Sequence, residues 1–415
     1  MRNNVFTLST EQLKEIGLGL QQKIMEGLRK DGEEIACLPT YINPGKDFEG
    51  KTLALDWGGT NFRAAIVQFQ KGEKPVILEN MKLPLSCKET EGFQQEDLFH
   101  AMAGLIVQLK HLDTTVTHIG YCFSYPAEST LNGDAILLRW TKEIEIPDML
   151  NKLVGKPLLT YLNNYEGMKT QFKTIKVVND TIACLFAGLT QPGYDSYIGL
   201  IAGTGTNTAA LIHKSHIKKL NKEYNGGDLI PINLESGNLK PKYTGKEYLT
   251  EIDQRVDEQS KDRHRQLFEK AMSGGYIGSI FRNTFPEIEI EPKFDGEKLT
   301  NLMNYPAIYK EEYITVARQI YIRSAQLVAA SLAGLTLTLT SYQDKNTYDK
   351  SILNICLAAD GSLFWSTDKN GKDYNEWVRE YLEKILNNFG LEHIHFHINK
   401  LDDANLIGSA IAALS

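Results

Sequence analysis

The chain carries two copies of a strand, glycine turn, strand pattern, and this repetition limits the available folds more than any other feature. In the first copy an apolar strand runs into Asp56-Trp-Gly-Gly-Thr-Asn61, and another strand follows. In the second copy Gly203-Thr-Gly-Thr-Asn207 joins two strands in the same way. Each copy predicts a β-hairpin with glycines at its tip, and the shared Gly-Thr-Asn ending indicates an internal duplication. Two similar lobes can bring such tips together across a cleft.

The rest of the chain alternates apolar strands with longer helical patterns, which is typical of an α/β protein. The strands are predicted at 118–123, 175–178, 352–358 and 393–398, and the helices at 10–30, 180–189, 245–258, 264–282, 311–339 and 374–389. Thr10 is the predicted N-cap of the first helix. With 415 residues the chain exceeds the roughly 250–300 residues that one hydrophobic core serves, so we expect two lobes.

Composition and charge exclude several classes of protein. The formal net charge is −7 and no run of Lys and Arg interleaves with aromatic residues, so we expect no nucleic-acid partner. The five cysteines form no CxxC pair, which argues against a disulfide framework or a zinc knuckle. The most apolar stretch, residues 325–339, is too short and too mixed to span a bilayer, and it predicts a buried helix. The first residues lack the apolar core of a signal peptide, so we expect a cytoplasmic protein without a membrane partner.

Glycine turns of this kind let several backbone N–H groups point into one concavity, where they can bind phosphate oxygens. Neither turn is a P-loop, because each leads into a strand rather than a helix. The alternative interpretation is a tight hairpin turn without a ligand. Asp56 would repel a phosphate unless a cation lies between them, which predicts a Mg²⁺ ion that the carboxylate holds through water. Arg63 has two interpretations, a clamp on a phosphate or carboxylate and an outward salt bridge.

Asp56-Trp-Gly-Gly-Thr-Asn-Phe-Arg63 closely resembles the first phosphate motif of the hexokinase family, and further matches follow in the family's order along nearly the whole chain. They are Leu38-Pro-Thr-Tyr41, Cys122-Phe-Ser-Tyr-Pro126, Trp140-Thr-Lys142, Asn179-Asp-Thr181, Gly203-Thr-Gly-Thr-Asn207, Asn233-Leu-Glu-Ser-Gly237, Gln266-Leu-Phe-Glu-Lys270 and Ala359-Asp-Gly-Ser-Leu363. The resemblance implies an actin-like (ribonuclease H-like) duplicated fold with two lobes around a cleft. It places residues 50–180 and 401–415 in the small lobe, and residues 1–49 and 181–400 in the large lobe.

The resemblance also implies a kinase that uses ATP and Mg²⁺ to phosphorylate the 6-hydroxyl of glucose or a related hexose. Asp180 is then the general base that takes the proton of this hydroxyl. An Asp or Asn before a helix is also a common N-cap, and both interpretations can hold at once. Lys142 would stabilise negative charge on the transferred phosphoryl group, although the usual place of a lysine is the solvated surface.

Two sets of binding residues follow from the same resemblance. The hexose set is Ser124, Thr141, Lys142, Asn179, Asp180, Asn207, Glu235 and Glu269. The nucleotide set is Asp56 (through Mg²⁺), Gly58, Gly59, Thr60, Asn61, Arg63, Gly203, Thr204, Gly205, Thr206, Gly274, Gly361 and Ser362. Carboxylates and amides suit a sugar because each of its hydroxyls both donates and accepts a hydrogen bond.

The sequence departs from the family pattern at three places. Ser236 stands where the family usually has Trp, which predicts a less bulky wall of the sugar site. Glu143-Ile144 replaces a Gly-Phe pair after the sugar-loop lysine. Residues 402–409 contain no Gly-Ser-Gly-Lys/Arg-Gly turn, and this departure leaves nucleotide affinity and the choice of phosphoryl donor open.

Three other interpretations stay open from the sequence. The alternating histidines of segment 393–397 could hold Zn²⁺, although no carboxylate or cysteine ligand is evident beside them. A sugar kinase of the repressor/ORF/kinase type shares the fold and the DxGGT turn, but its CxCGxxGC motif is absent here. A non-catalytic sugar sensor would keep the sugar-binding glutamates, but it would not need Asp180 and Lys142.

Overall fold

The computed structural model describes residues 5–45, 47–59, 61–85, 92–141, 144–241, 248–288, 294–341 and 351–415, and its two large β-sheets have helices between and around them. The strands are β1 (Leu38–Pro39), β2 (Gly50–Trp57), β3 (Asn61–Phe69), β4 (Val76–Pro84), β5 (His118–Phe123), β6 (Ala127–Ser129), β7 (Ala135–Leu137), β8 (Thr174–Val178), β9 (Ser196–Ala202), β10 (Thr206–His213), β11 (Leu229–Asn233), β12 (Asn354–Asp360) and β13 (His395–Lys400). The helices are α1 (Thr10–Arg29), α2 (Gln95–Ile106), α3 (Gly155–Asn164), α4 (Asp180–Gly188), α5 (Glu251–Gln259), α6 (Leu267–Met272), α7 (Gly274–Thr284), α8 (Gly296–Asn304), α9 (Glu311–Thr340), α10 (Tyr374–Asn388) and α11 (Ala404–Ala413).

Both large sheets have the same strand plan. The five-stranded sheet has the order β4-β3-β2-β5-β8, and the six-stranded sheet has the order β1-β11-β10-β9-β12-β13. In each sheet three antiparallel strands are followed by two parallel strands, so β2, β3, β4, β5 and β8 correspond to β9, β10, β11, β12 and β13, and the short β1 adds one more antiparallel strand beside β11. Each glycine turn joins the first two strands of its own sheet. This correspondence confirms the internal duplication and the two-lobed α/β fold that the sequence predicted.

The first helix shows why one predicted boundary was wrong. The N-cap of α1 is Ser9 rather than Thr10. The Ser9 hydroxyl accepts a hydrogen bond from the Gln12 amide at 3.2 Å, and the Gln12 side chain accepts one from the Ser9 amide at 2.9 Å. This reciprocal capping box satisfies two backbone donors at once, so the helix starts at the residue after Ser9.

Two other predicted helices also differ from the structure. The predicted helix 264–282 is divided into α6 and α7, because Ser273 adopts an extended conformation between them. The predicted helix at 245–258 begins later, since α5 starts only after Thr250, whose hydroxyl accepts hydrogen bonds from the amides of the first turn. The predicted helices that became α4, α9 and α10 are confirmed, with small differences at their ends.

Helix α9 forms the centre of the larger hydrophobic core. It is long and apolar enough to cross a membrane by length and composition alone, but 94% of its most apolar window is buried inside the fold. It packs against α1, α10, α8 and α7. The prediction of a buried helix at 325–339 is therefore confirmed.

Helices α4 and α11 cross between the two large sheets. Helix α4 packs on β9, β10 and β12, helix α11 packs on β5, β2 and β8, and the two helices contact each other. Glycines allow this close approach. A β-carbon on Gly120 in β5 would lie 1.7 Å from the carbonyl oxygen of Ser409, and one on Gly408 would lie 1.8 Å from the carbonyl oxygen of Ala183. The boundaries of the two lobes stay a prediction, but this crossing is where their sheets meet.

We expect Gly408→Ala to destabilise the protein. The added β-carbon cannot lie 1.8 Å from the Ala183 carbonyl oxygen, so α4 and α11 must move apart. Overpacking of this kind costs about 1–3 kcal/mol or more, which urea unfolding measures as a lower midpoint. The matched control is Gly104→Ala in α2, where the new β-carbon would lie 3.7 Å from the Tyr165 hydroxyl. This control should be neutral or stabilising by up to about 1 kcal/mol, and equal midpoints for both variants would contradict the prediction.

Candidate active site

The first glycine turn lies at the carboxyl end of β2, beside a network of ion pairs. Asp56 and Arg63 are cross-strand partners in the β2–β3 hairpin. The Nε and Nη2 atoms of Arg63 donate to Oδ2 of Asp56 at 2.9 and 2.6 Å, and Nη1 donates to Oδ1 of Asp403 at 2.7 Å. Arg63 thus forms ion pairs with two carboxylates of the protein, one on β2 and the other directly before α11.

The Asp56 carboxylate can take part in a cation site, although it cannot form one alone. Its side chain is buried, and burial raises the pKa of Asp56 while the adjacent Arg63 guanidinium opposes that shift. Its Oδ1 atom receives none of the Arg63 hydrogen bonds. Within the described ranges, which include the histidines of segment 393–397, no group of three or more His, Cys, Asp or Glu could hold a metal ion. A Mg²⁺ ion here would take most of its ligands from phosphate and water, as Mg²⁺ that arrives with a nucleotide does.

The second glycine turn is braced by the first residues of α7. The amides of Gly274 and Gly275 donate to the carbonyl oxygens of Gly203 and Thr204 at 2.8 and 3.0 Å. Gly361 lies against the same turn with a φ of +115°, and a β-carbon on it would lie 2.3 Å from the carbonyl oxygen at the end of β9. Three segments of the predicted nucleotide set therefore meet at one place. The Gly274 N–H supports the turn and is not available to a ligand.

A network of amides holds Glu235 at the end of β11. The Nδ2 atom of Asn233 donates to Oε1 of Glu235 at 2.8 Å, and Nδ2 of Asn207 donates to Oδ1 of Asn233 at 2.7 Å. Glu235 itself has a left-handed backbone, with a φ of +57°. Burial raises the pKa of Glu235, the Asn233 hydrogen bond opposes this shift, and the negative charge of Asp180 adds to it. The site thus holds a carboxylate in a fixed orientation and at an energetic cost, which is typical of functional groups.

Glu269 connects the sugar set to the second glycine turn. Its Oε2 atom accepts a hydrogen bond from the Thr206 amide at 3.1 Å. The next residue, Lys270, is buried, and its Nζ atom donates to Oδ1 of Asp257 and to the carbonyl oxygen of Asp262, both at 2.6 Å. This buried ion pair fixes the segment that precedes α6, and so it fixes the position of Glu269.

Asp180 is the first residue of α4. The N-cap is Asn179, whose side chain accepts a hydrogen bond from the Thr181 amide at 2.9 Å. Oδ1 of Asp180 accepts from the same amide at 2.8 Å, and no hydrogen bond among the described residues reaches its Oδ2. Burial is the main cause that raises the pKa of both Asp56 and Glu235, and the negative charge of Asp180 adds to both shifts. Asp180 therefore interacts electrostatically with both the first glycine turn and the sugar set, and it has an oxygen free to accept a proton.

A cavity of about 440 Å³, including space open to solvent, lies beside these residues. Its lining includes Asn179, Asn233 and Glu235 from the sugar side, together with Thr40 and Phe123. The other described members of the two predicted sets are Ser124 and Thr141 in loops, Gly58 and Gly59 in the first glycine turn, Asn61 at the start of β3, Gly205 in the second glycine turn and Ser362 after β12. Lys142 and Thr60 lie outside the described residues.

Sequence reasoning missed two residues of this site. Asn233 stood inside a matched motif, and an Asn at the end of an apolar strand two positions before a Glu could have identified it. Asp403 had no local signal, because its partner Arg63 is distant in the chain. Ser236 is fully buried, and its hydroxyl contacts that of Thr208 at 3.1 Å. The expectation that the missing Trp leaves a less bulky wall of the sugar site stays a prediction.

Comparison with known proteins gives a consistent result. Two sequence profiles described as hexokinase match residues 2–189 and, in overlapping segments, residues 197–315 and 297–415. Hexokinase-9 of Oryza sativa subsp. japonica is 25% identical, across 98% of this chain and 87% of its own length. The solved structure of hexokinase from Schistosoma mansoni complexed with glucose has a TM-score of 0.79 at 23% identity, covering 98% of this chain and 96% of that one. A ROK family glucokinase from Streptomyces griseus, in complex with glucose and AMPPNP, has a TM-score of 0.53 at 17% identity, covering 88% and 99%.

The raised pKa of Glu235 leads to a prediction about pH. A carboxyl whose pKa is raised loses its ionised form at a higher pH than an ordinary glutamate does, so its ability to accept two hydroxyl hydrogen bonds falls as the pH falls through that pKa. We expect the dissociation constant for glucose to rise as the pH falls, and to begin rising at a higher pH than it would with a glutamate of ordinary pKa. Glu235→Gln cannot titrate, so it should bind roughly 10-fold more weakly at pH 7 and lose part of the pH dependence.

Isothermal titration calorimetry without nucleotide measures both effects. Glu223→Gln, on an exposed segment, is the control and should bind as the wild type does. The same pH dependence in wild type and Glu235→Gln would contradict the assignment of Glu235.

Proposed function

The chain belongs to the hexokinase family, and we propose that it transfers the γ-phosphoryl group of MgATP to the 6-hydroxyl of glucose or a closely related hexose. The observation that carries this proposal is the environment of Asp180. Asp180 directly follows Asn179, which lines the same cavity as Asn233 and Glu235, and one of its carboxylate oxygens accepts no hydrogen bond from the described residues.

In this proposal Asp180 acts as the general base. A sugar hydroxyl is a weak nucleophile, and a base that takes its proton in the transition state contributes typically about 10²–10⁴-fold to the rate. Oδ1 of Asp180 is fixed by the Thr181 amide, so Oδ2 is the proton acceptor. The N-cap at Asn179 and the position at the start of α4 keep the carboxylate from turning away.

Hexose recognition would rest on the carboxylates and amides at the carboxyl ends of the strands. Glu235 and Glu269 each accept a hydrogen bond from a protein N–H group, which restricts the orientation of their carboxylates. Such a site discriminates strongly against a ligand that lacks a hydroxyl, because the buried polar groups would then stay unpaired. Ser124 and Thr141 complete the proposed set from the opposite side.

Nucleotide binding would use the two glycine turns. The second turn is held by α7 and Gly361, so its shape exists before a ligand arrives. Backbone N–H groups of such turns bind phosphate oxygens without a basic side chain. Asp56 would hold Mg²⁺ through water, and the Mg²⁺ ion would neutralise charge on the phosphates. By the family resemblance, Lys142 would stabilise the transferred phosphoryl group, and Thr60 would complete the first turn.

Two solved structures with a similar fold support ATP as the phosphoryl donor and glucose as the acceptor in this proposal. The Streptomyces griseus glucokinase holds glucose together with AMPPNP, an analogue of ATP, on a similar fold. The Schistosoma mansoni hexokinase holds glucose. Closure of the two lobes around both substrates would exclude water, whose attack on ATP would otherwise compete with the sugar.

We expect Asp180→Ala to lower the rate of hexose-dependent ADP formation by at least roughly 10²-fold, because the hydroxyl loses its proton acceptor. A coupled assay with MgATP and saturating glucose measures this. Asp228→Asn is the control, since that carboxylate is exposed and pairs with Lys214; its rate should equal that of the wild type.

Two outcomes would overturn parts of the proposal. Retention of most activity in Asp180→Ala would remove Asp180 from the role of base. Glucose binding without turnover, in the wild type itself, would identify the chain as a sugar sensor with the same fold.

We further expect glucose, mannose, fructose and glucosamine to differ more in kcat/KM than in kcat. All four carry the 6-hydroxyl that reacts, whereas they differ at the hydroxyls that Glu235, Glu269 and their amide partners would bind. Each lost or misplaced hydrogen bond to a charged group is worth about 1.5–3 kcal/mol. The same coupled assay with each sugar in turn identifies the preferred hexose.

A further inference from the structure

Trp57 directly follows Asp56 at the start of the first glycine turn, and its side chain both packs in the core and forms a hydrogen bond with the turn. Its side chain is fully buried, and its indole Nε1 donates a hydrogen bond to the carbonyl oxygen of Gly59 at 3.1 Å. A phosphate-binding turn needs only glycine backbone, so nothing in its chemistry requires an indole at this position. The hydrogen bond holds the peptide of Gly59 in one orientation within the turn.

The ring of Trp57 also contacts the segment that carries Ser124. Its centroid lies 5.8 Å from that of Phe123 and 5.1 Å from that of Tyr125. The backbone carbonyl oxygen of Trp57 accepts a hydrogen bond from the Ser124 amide at 3.1 Å. Trp57 therefore sets the distance between the first glycine turn and the loop after β5.

A third segment meets the same ring. Trp140 lies 5.9 Å from Trp57 and 5.0 Å from Tyr125, in edge-to-face contacts. Its indole Nε1 donates to the carbonyl oxygen of Ile146 at 2.9 Å, which ties the two ends of the segment that contains Thr141. We call Trp57, Phe123, Tyr125 and Trp140 the aromatic cluster. It joins one predicted phosphate-binding turn to two predicted sugar-binding segments.

We propose that Trp57 is a positioning residue that couples the nucleotide site to the sugar site. Its indole N–H fixes the turn that receives the phosphates, and its ring transmits the position of the sugar-binding segments to that turn. A hexose bound to those segments then favours the turn conformation that binds MgATP, and the reverse holds by thermodynamic reciprocity. This inference rests on the proposed function and adds to it the residue that links the two substrates.

Two substitutions separate the two roles. Trp57→Phe keeps an aromatic ring and removes the N–H donor, so the KM for MgATP should rise about 3- to 10-fold while the KM for glucose stays within about 2-fold. Trp57→Leu removes the aromatic contacts as well, so both KM values should rise. The matched control is Trp377→Phe, whose ring stacks on Tyr381 within α10; both of its KM values should equal those of the wild type.

Coupling is measured directly from binding. The dissociation constant of MgAMPPNP is determined by calorimetry with and without saturating glucose, and the ratio of the two values is the coupling factor. We expect a factor above 1 in the wild type, a similar factor in Trp377→Phe and a factor near 1 in Trp57→Leu. If thermal unfolding shows that either substitution loosens the fold, 3-benzothienylalanine at position 57 repeats the first test, because it keeps the ring size and lacks only the N–H.

The outcomes distinguish this inference from the proposed function. An unchanged KM for MgATP in Trp57→Phe, or a wild-type coupling factor in Trp57→Leu, overturns the role of Trp57 while leaving the kinase intact. A wild type that binds both ligands and turns over no hexose overturns the proposed function, and the coupling factors still decide whether Trp57 links the two sites.

Discussion

The crossing of α4 and α11 is the contact on which the rest of the molecule depends. Each helix packs on one of the two large sheets, and the two meet where Gly408 admits the backbone of Ala183. Because α4 begins with Asp180 and α11 begins after Asp403, the same contact brings the first residues of both helices to the cleft. Asp403 then holds Arg63, and Arg63 holds Asp56. The backbone packing of α4 against α11 thus helps to position the charged side chains beside the first glycine turn.

The acidic side chains of the cleft differ in the protein groups that offset their loss of hydration. Asp56 faces the Arg63 guanidinium, which opposes the rise in pKa that burial causes. Glu235 accepts amide hydrogen bonds from Asn233 and Asn207, and burial raises its pKa. Asp180 stays half-buried. The three acidic groups therefore differ in environment, which suits the separate tasks that the proposed function gives them.

Much of the fold could be predicted from the sequence, because duplicated glycine turns and apolar strands are local signals. The matched topology of the two sheets confirmed that inference. What could not be predicted depends on contacts between distant residues. The Arg63–Asp403 ion pair joins residues that are far apart in the chain. The separation of α6 from α7 at Ser273 accompanies the hydrogen bonds that the first amides of α7 donate to the second glycine turn. The members of the candidate site stay a prediction from the resemblance, whereas the hydrogen bonds between Asn207, Asn233 and Glu235 became visible only in three dimensions.

The position of α11 has a consequence for how the protein folds during its synthesis. Its partners β2, β5 and α4 leave the ribosome long before residue 404 is made, so the sheet that α11 covers stays bare on that face during most of synthesis. Contacts of such long range form slowly, and exposed apolar surface in the meantime favours aggregation. A chain whose translation stops before α11 would contain most of the cleft residues but would lack the helix that packs on their sheet. Such a nascent chain would be a client for chaperones rather than a partly active enzyme.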